Sequence, residues 1–155
     1  MEVMSTLHKR CSLVLFLAVV CLAQETKEDP FLGTWALNLA KSKFDTGAKP
    51  KKLICRWEKA EGGVKVTTEG VDAQGKSFAS NYTAIYDGKE YPPSGPWNWD
   101  TVANRQIDSR NREDTFRKGG KVIGVIKRMV SADGKVMTET HSFDDSHVVM
   151  VFDRQ

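Results

Sequence analysis

The chain has 155 residues, a formal net charge of +3, 40% hydrophobic residues and 28% charged residues. That length supports one domain, and the apolar fraction excludes a disordered chain. Lysines and arginines are scattered rather than gathered into a stripe, which argues against a nucleic-acid surface. No short repeat runs through the sequence, so collagenous and coiled-coil chains are excluded too.

At the start, Lys9 and Arg10 precede an apolar run from Cys11 to Ala23, and polar Gln24-Glu25-Thr26-Lys27 follows at once. A basic lead, a short apolar stretch and a small residue before a polar segment have the form of a secretory signal peptide. Cleavage is expected after Ala23. The run is shorter than the roughly 20 residues of a membrane span. The expected organisation is therefore a signal peptide over 1–23 and one folded domain over 24–155, secreted or periplasmic, with no integral membrane segment after cleavage. Cleavage would remove Cys11 and Cys21, leaving Cys55 as the one thiol and no internal disulfide. Cys55 lies at strand spacing between Leu53 and Trp57 and reads as a buried, inert thiol.

Beyond Pro30, strand-like runs alternate with turn signals, and no amphipathic helix of useful length appears. Turn chemistry falls at Glu61-Gly62-Gly63, Asp72-Ala73-Gln74-Gly75, Asp87-Gly88, Asp108-Ser109-Arg110-Asn111, Lys118-Gly119-Gly120, Ala132-Asp133-Gly134 and Asp144-Asp145-Ser146. The runs between are rich in Val, Ile, Thr, Tyr and Phe. The predicted strands are 33–39, 51–59, 63–70, 76–86, 89–92, 99–107, 112–118, 121–131, 135–143 and 147–154. Several alternate cleanly: Phe78, Ser80, Tyr82, Ala84 and Tyr86 share one face, and Val148, Met150 and Phe152 share another. Short connections make sequence neighbours sheet neighbours. So many antiparallel strands in one small domain would leave open edges unless the sheet closes on itself. The expected fold is all-β: an up-and-down meander closing into a lipocalin-like barrel of eight to ten strands.

Asp29-Pro30-Phe31-Leu32-Gly33-Thr34-Trp35-Ala36-Leu37-Asn38 resembles the opening of the calycin superfamily, the lipocalins and fatty-acid-binding proteins. The pattern from Pro30 through Lys41-Ser42 to Phe44, with Tyr86-Asp87-Gly88-Lys89 and Lys118-Gly119-Gly120-Lys121-Val122, is similar to small exported lipocalin-like bacterial proteins. The resemblance implies that Gly33 and Trp35 open the first strand. Trp35 then plugs the closed end of the barrel beneath a late arginine, for which Arg154 is the candidate. The segment from Ala40 to Pro50 is too short for the helical pair that lids a fatty-acid-binding protein. That family holds a ligand carboxylate with an Arg and a Tyr on its last strand, where this chain has Met150 and Phe152. Only Arg128, on an earlier strand, remains as an inward cation candidate.

Signals for chemistry are sparse. Only His141 and His147 stand beyond the signal region, with no second Cys and no His-Glu motif, so no metal site is expected. Asp144-Asp145 reads as turn chemistry, and no nucleophile elbow, Walker sequence or dinucleotide fingerprint is present. Neither an enzyme nor a cofactor is expected. The leading reading is a barrel that binds or carries a small apolar or amphipathic molecule, with Trp57, Tyr82, Tyr86 and Phe152 as apolar wall and Arg128 orienting a polar head. The alternative is a filled barrel of the cell envelope that meets a partner through Tyr91-Pro92-Pro93-Ser94-Gly95-Pro96-Trp97-Asn98-Trp99. There, Trp97 and Trp99 would stand on an exposed rim loop. An enzyme or haem protein on a barrel scaffold, with His141 facing inward to hold a haem, is the third reading.

Overall fold

The computed structural model describes residues 28–45, 49–93, 98–144 and 146–155. The expected signal peptide over 1–23 and Trp97 lie outside these residues. Among them there is no helix, and none is long and apolar enough to cross a membrane. The strands are β1 (Gly33–Leu37), β2 (Lys43–Phe44), β3 (Lys52–Ala60), β4 (Gly63–Val71), β5 (Ser77–Ala84), β6 (Asp87–Tyr91), β7 (Thr101–Gln106), β8 (Asn111–Lys118), β9 (Lys121–Val130), β10 (Val136–Phe143) and β11 (Ser146–Arg154). They form one sheet in the order β5-β4-β3-β1-β11-β10-β9-β8-β7-β6, with β2 paired to β11. Every pairing is antiparallel. The sheet curls into a calycin-like barrel whose first strand meets its last.

Three local features depart from the sequence pattern. The run over 76–86 ends at Ala84, and a two-residue strand, β2, forms at Lys43–Phe44. Asp87-Gly88 is turn chemistry spent inside a strand rather than between two. Asp87 Oδ1 accepts the Lys89 amide at 2.9 Å, Gly88 has φ +78°, and the β6–β7 register slips between Asp87 and Glu90. That is a bulge, which bends the chain and weakens its ladder. Consecutive β5 and β6 are the two ends of the strand path, and no ladder joins them. Among the described residues the barrel therefore has a seam, between β5 and β6, that no strand ladder closes.

Period-two alternation fixes the interior. On β9, Gly124, Ile126, Arg128 and Val130 are buried while Lys127 and Met129 are exposed. The apolar core sits at the end where the chain enters the barrel. Phe31, Trp35, Trp57, Val130, Met137 and Phe152 pack there, with Cys55, Val64 and Val66 beside them. Full burial of each large side chain contributes about 1.5–3 kcal/mol. Arg154 covers this end, its guanidinium 4.1 Å from the Trp35 ring. Its three nitrogens donate to the carbonyls of Gly134, Leu32 and Pro30 at 2.5, 2.6 and 2.5 Å, and Trp35 Nε1 donates to Phe31 O at 2.9 Å. Gly33, at φ +125°, lies so close that a Cβ there would fall 2.6 Å from Arg154 Nη1. A side chain at residue 33 would be strained by the backbone conformation and would crowd that arginine.

Candidate functional site

Above the core the barrel is hollow. A cavity of about 610 Å³ lies against the inner faces of β5, β7, β8 and β9, with Tyr82, Val102, Phe116 and Ile126 as apolar wall. Asn81 and Thr83, on the outer face of β5, also border it, as do Tyr91, Pro92 and Pro93 at the end of β6. The cavity thus opens to solvent along the unladdered seam. Trp99 stands at its margin, edge-on to Phe116 with ring centroids 4.9 Å apart. Phe116 meets Phe143 at 5.3 Å, and Phe143 lies across Gly124, where any Cβ would fall 2.1 Å from the ring. Gly124 is the gap that lets this aromatic rim close over the sheet. A second depression, about 500 Å³, lies over Gly70 and Phe78, bordered by Lys52, Ile54 and Glu69, and holds none of the buried polar groups described next.

Strand register assembles a polar floor. Glu139 on β10 sits opposite Arg128 on β9, which sits opposite Arg112 on β8. One step along, His141, Ile126, Asp114 and Asn104 align across four strands. Diagonal and direct neighbours at this spacing are within reach of one another. Arg128 donates from Nε to Glu139 Oε1 at 2.8 Å and from Nη1 to Asp114 Oδ2. Asn104 donates to Asp114 Oδ1 at 2.7 Å, and His141 Nε2 lies 3.0 Å from Glu139 Oε2. Asn104, Asp114, Arg128 and Glu139 are all buried, and the first three also line the cavity.

Burial opposes the charge on Arg128, but the Asp114 and Glu139 carboxylates outweigh it and hold the guanidinium cationic well above its ordinary range. Glu139 behaves in the same way. Burial would raise its pKa, yet the Arg128 charge and the His141 contact bring it down to about 2. Burial pushes the Tyr82 hydroxyl well above its ordinary value, so it stays neutral. Cys55 is also a neutral thiol, pushed up to about 12 chiefly by burial, with Thr68 Oγ1 3.6 Å from its sulfur.

Arg112 faces Arg128 across the ladder but is drawn the other way. It pairs with Asp29 and lies 4.2 Å from the centroids of both Phe31 and Tyr86. Packed beneath the floor and only 3% exposed, it does not border the cavity.

The residues singled out from the sequence fall at different depths. Tyr82, Arg128 and Trp99 border the cavity. Trp57 and Phe152, expected as ligand wall, are 2% and 0% exposed and belong to the packed core below it. Tyr86 faces inward as well, but its ring carries Arg112. Alternation fixes the face of a strand and not the level along the barrel, so the sequence does not separate these three from a ligand wall. His141 is on the inner face, tied to Glu139. Asn104, Asp114 and Glu139 were missed. The signal for Asp114 is Phe116, which at period two carries Asp114 and Arg112 inward with it; Asn104 and Glu139 follow only from strand register. Among the described residues, no group of three or more His, Cys, Asp and Glu side chains could hold a metal ion.

This architecture is an antiparallel barrel of calycin-like fold. No protein-family model and no curated protein matches the chain. Solved structures of similar fold include a secretory abundant heat soluble protein from Ramazzottius varieornatus, with TM-score 0.61, 10% identity and coverage of 82% of this chain and 96% of that one. Another is As-p18, an extracellular fatty acid binding protein, with TM-score 0.58, 12% identity and coverage of 82% and 97%. A third is the Schistosoma mansoni fatty acid binding protein in complex with arachidonic acid, with TM-score 0.52, 14% identity and coverage of 81% and 96%. At these identities the likeness is one of fold.

Proposed function

We propose that this chain binds one small amphipathic molecule inside its barrel, as an exported carrier or sequestering protein released from a signal peptide after Ala23. The observation that carries the reading is the cavity itself. Apolar walls and a few convergent polar groups, reached through a seam in the sheet, are the makings of a small-molecule site. Two structural neighbours are described as fatty acid binding proteins, which supports an apolar cargo. Binding without catalysis fits the inward chemistry. The floor side chains are tied to one another, and the one cysteine among the described residues is buried as a neutral thiol.

Titration with N-phenyl-naphthylamine, an uncharged probe that brightens in apolar surroundings, tests the reading. One saturable site per chain is expected, weakened about tenfold or more when Ser80→Trp fills the cavity from β5. A probe that never saturates, or that binds Ser80→Trp as well as wild type, would overturn it. Export has its own test. Protein recovered from the medium or periplasm should begin at Gln24, and an intact Met1 would contradict release.

A further inference from the structure

The polar floor has a consequence for the cargo's head group. A carboxylate entering the cavity needs a cation with charge to spare, because an ion that leaves water without a partner is costly. Among the described residues, Arg128 is the one cationic side chain on the cavity wall, and both Asp114 and Glu139 already bind it. With His141 neutral, the cluster carries one more negative charge than positive. With His141 protonated it balances. Neither state leaves a surplus positive charge. Arg112 does not supply one, being paired with Asp29 and closed off beneath the aromatic rings.

A cationic head group meets at most one uncompensated negative charge, on carboxylates that are already engaged. All four oxygens of the two carboxylates already have partners: Arg128 and Asn104 on Asp114, Arg128 and His141 on Glu139. What the wall still offers is hydrogen bonding. The Tyr82 hydroxyl can donate and accept, and the side-chain carbonyl of Asn104 can accept. Building on the binding reading above, we propose that the cavity selects an amphiphile with an uncharged, hydroxyl-bearing head and rejects a fatty-acid carboxylate. The three-way pairing of Asp114, Arg128 and Glu139 is the specificity element, because it cancels the charge that a carboxylate would seek.

Displacement of bound N-phenyl-naphthylamine by three dodecyl amphiphiles tests this: the glycerol monoester, the trimethylammonium and the free carboxylate. It is run at about pH 8, where the carboxylate is ionised. The uncharged ester should displace the probe at concentrations at least about tenfold lower than the carboxylate does. In Asp114→Asn and Glu139→Gln, each of which removes a negative charge while keeping the side chain's shape, that preference should narrow. Carboxylate binding as tight as the ester's in wild type would overturn the assignment, as would an ammonium that binds tightest, or a preference unchanged in both variants. Those outcomes leave the binding reading standing. Absence of any saturable probe binding overturns both.

Discussion

Arg154 and Arg128 both turn into the barrel, but one is surrounded by backbone and the other by carboxylates at the edge of a cavity. At the closed end, Arg154 gives its nitrogens to three carbonyls and its face to Trp35. Those carbonyls belong to Pro30, Leu32 and Gly134, so the side chain ties the N-terminal segment and the β9–β10 turn to the last strand. In the cavity floor, Arg128 meets full charges at Asp114 and Glu139, and Asn104, Asp114 and Arg128 face open space. The same side chain is a clamp in one place and a neutralised recognition group in the other. Its neighbours decide which, and the difference predicts how each region responds to change.

The largest effects belong to the closed end. Trp35→Ala should destabilise the domain by about 3–5 kcal/mol, since it empties the centre of the core and leaves Arg154 without its ring. A urea melt reads this directly, and a wild-type midpoint would remove the clamp from the account. Arg128→Met should cost about as much, roughly 3–5 kcal/mol, for another reason: it strands two buried carboxylates. The comparison sharpens if all three charges go together. Arg128→Met with Asp114→Leu and Glu139→Leu should recover most of that loss, because an apolar floor needs no counter-ions. If the triple variant is no more stable than Arg128→Met, the cost lay in packing and not in unpaired charge.

Acid should act on the floor before it acts on the clamp. The pKa of Glu139 is lowered from 4.5 to about 2 in the folded protein. Its contribution to stability is therefore complete above about pH 4.5 and is lost as the pH falls toward 2, on the order of 3 kcal/mol in all. Melts across that window should show wild type falling toward Glu139→Gln. A constant gap between the two would contradict the assignment. The smallest effect is expected at Gly33→Ala, about 1–3 kcal/mol, from a strained φ and a crowded Arg154 Nη1. Thermal melts that leave Gly33→Ala level with wild type would mean that the N-terminal segment moves aside at little cost.

The strands were legible because both short hairpins and period-two alternation write themselves into the sequence. Eight of the nine pairings along the strand path join neighbours in the chain, with only the short β2 passed over, and the ninth, β1 with β11, carries the sheet round. The seam was not legible. Asp87-Gly88 marks a turn in most settings, and nothing local says that here it bulges a strand and leaves β5 and β6 unladdered. The floor was hidden for a related reason. Asn111-Arg112-Glu113-Asp114 is polar on both faces, so alternation alone does not tell which side is buried. The face is fixed by Phe116 two residues on, and the partners by register across strands. Arg128 and Glu139 are eleven residues apart and meet only through the β9–β10 ladder. Trp57, Tyr86 and Phe152 show the converse. Their inward face was clear, but their depth depends on where the packed core stops and the cavity begins.

The central claim is that one region of this barrel responds to a small molecule while the other stays closed. Amide NMR spectra recorded during a titration with N-phenyl-naphthylamine measure both regions at once. The account predicts saturable shifts at Ser80, Tyr82, Asn104, Phe116 and Arg128, with Trp35, Phe152 and Arg154 unmoved. Shifts centred on Trp35 and Arg154, or spread over the outer strand faces without saturation, would contradict it.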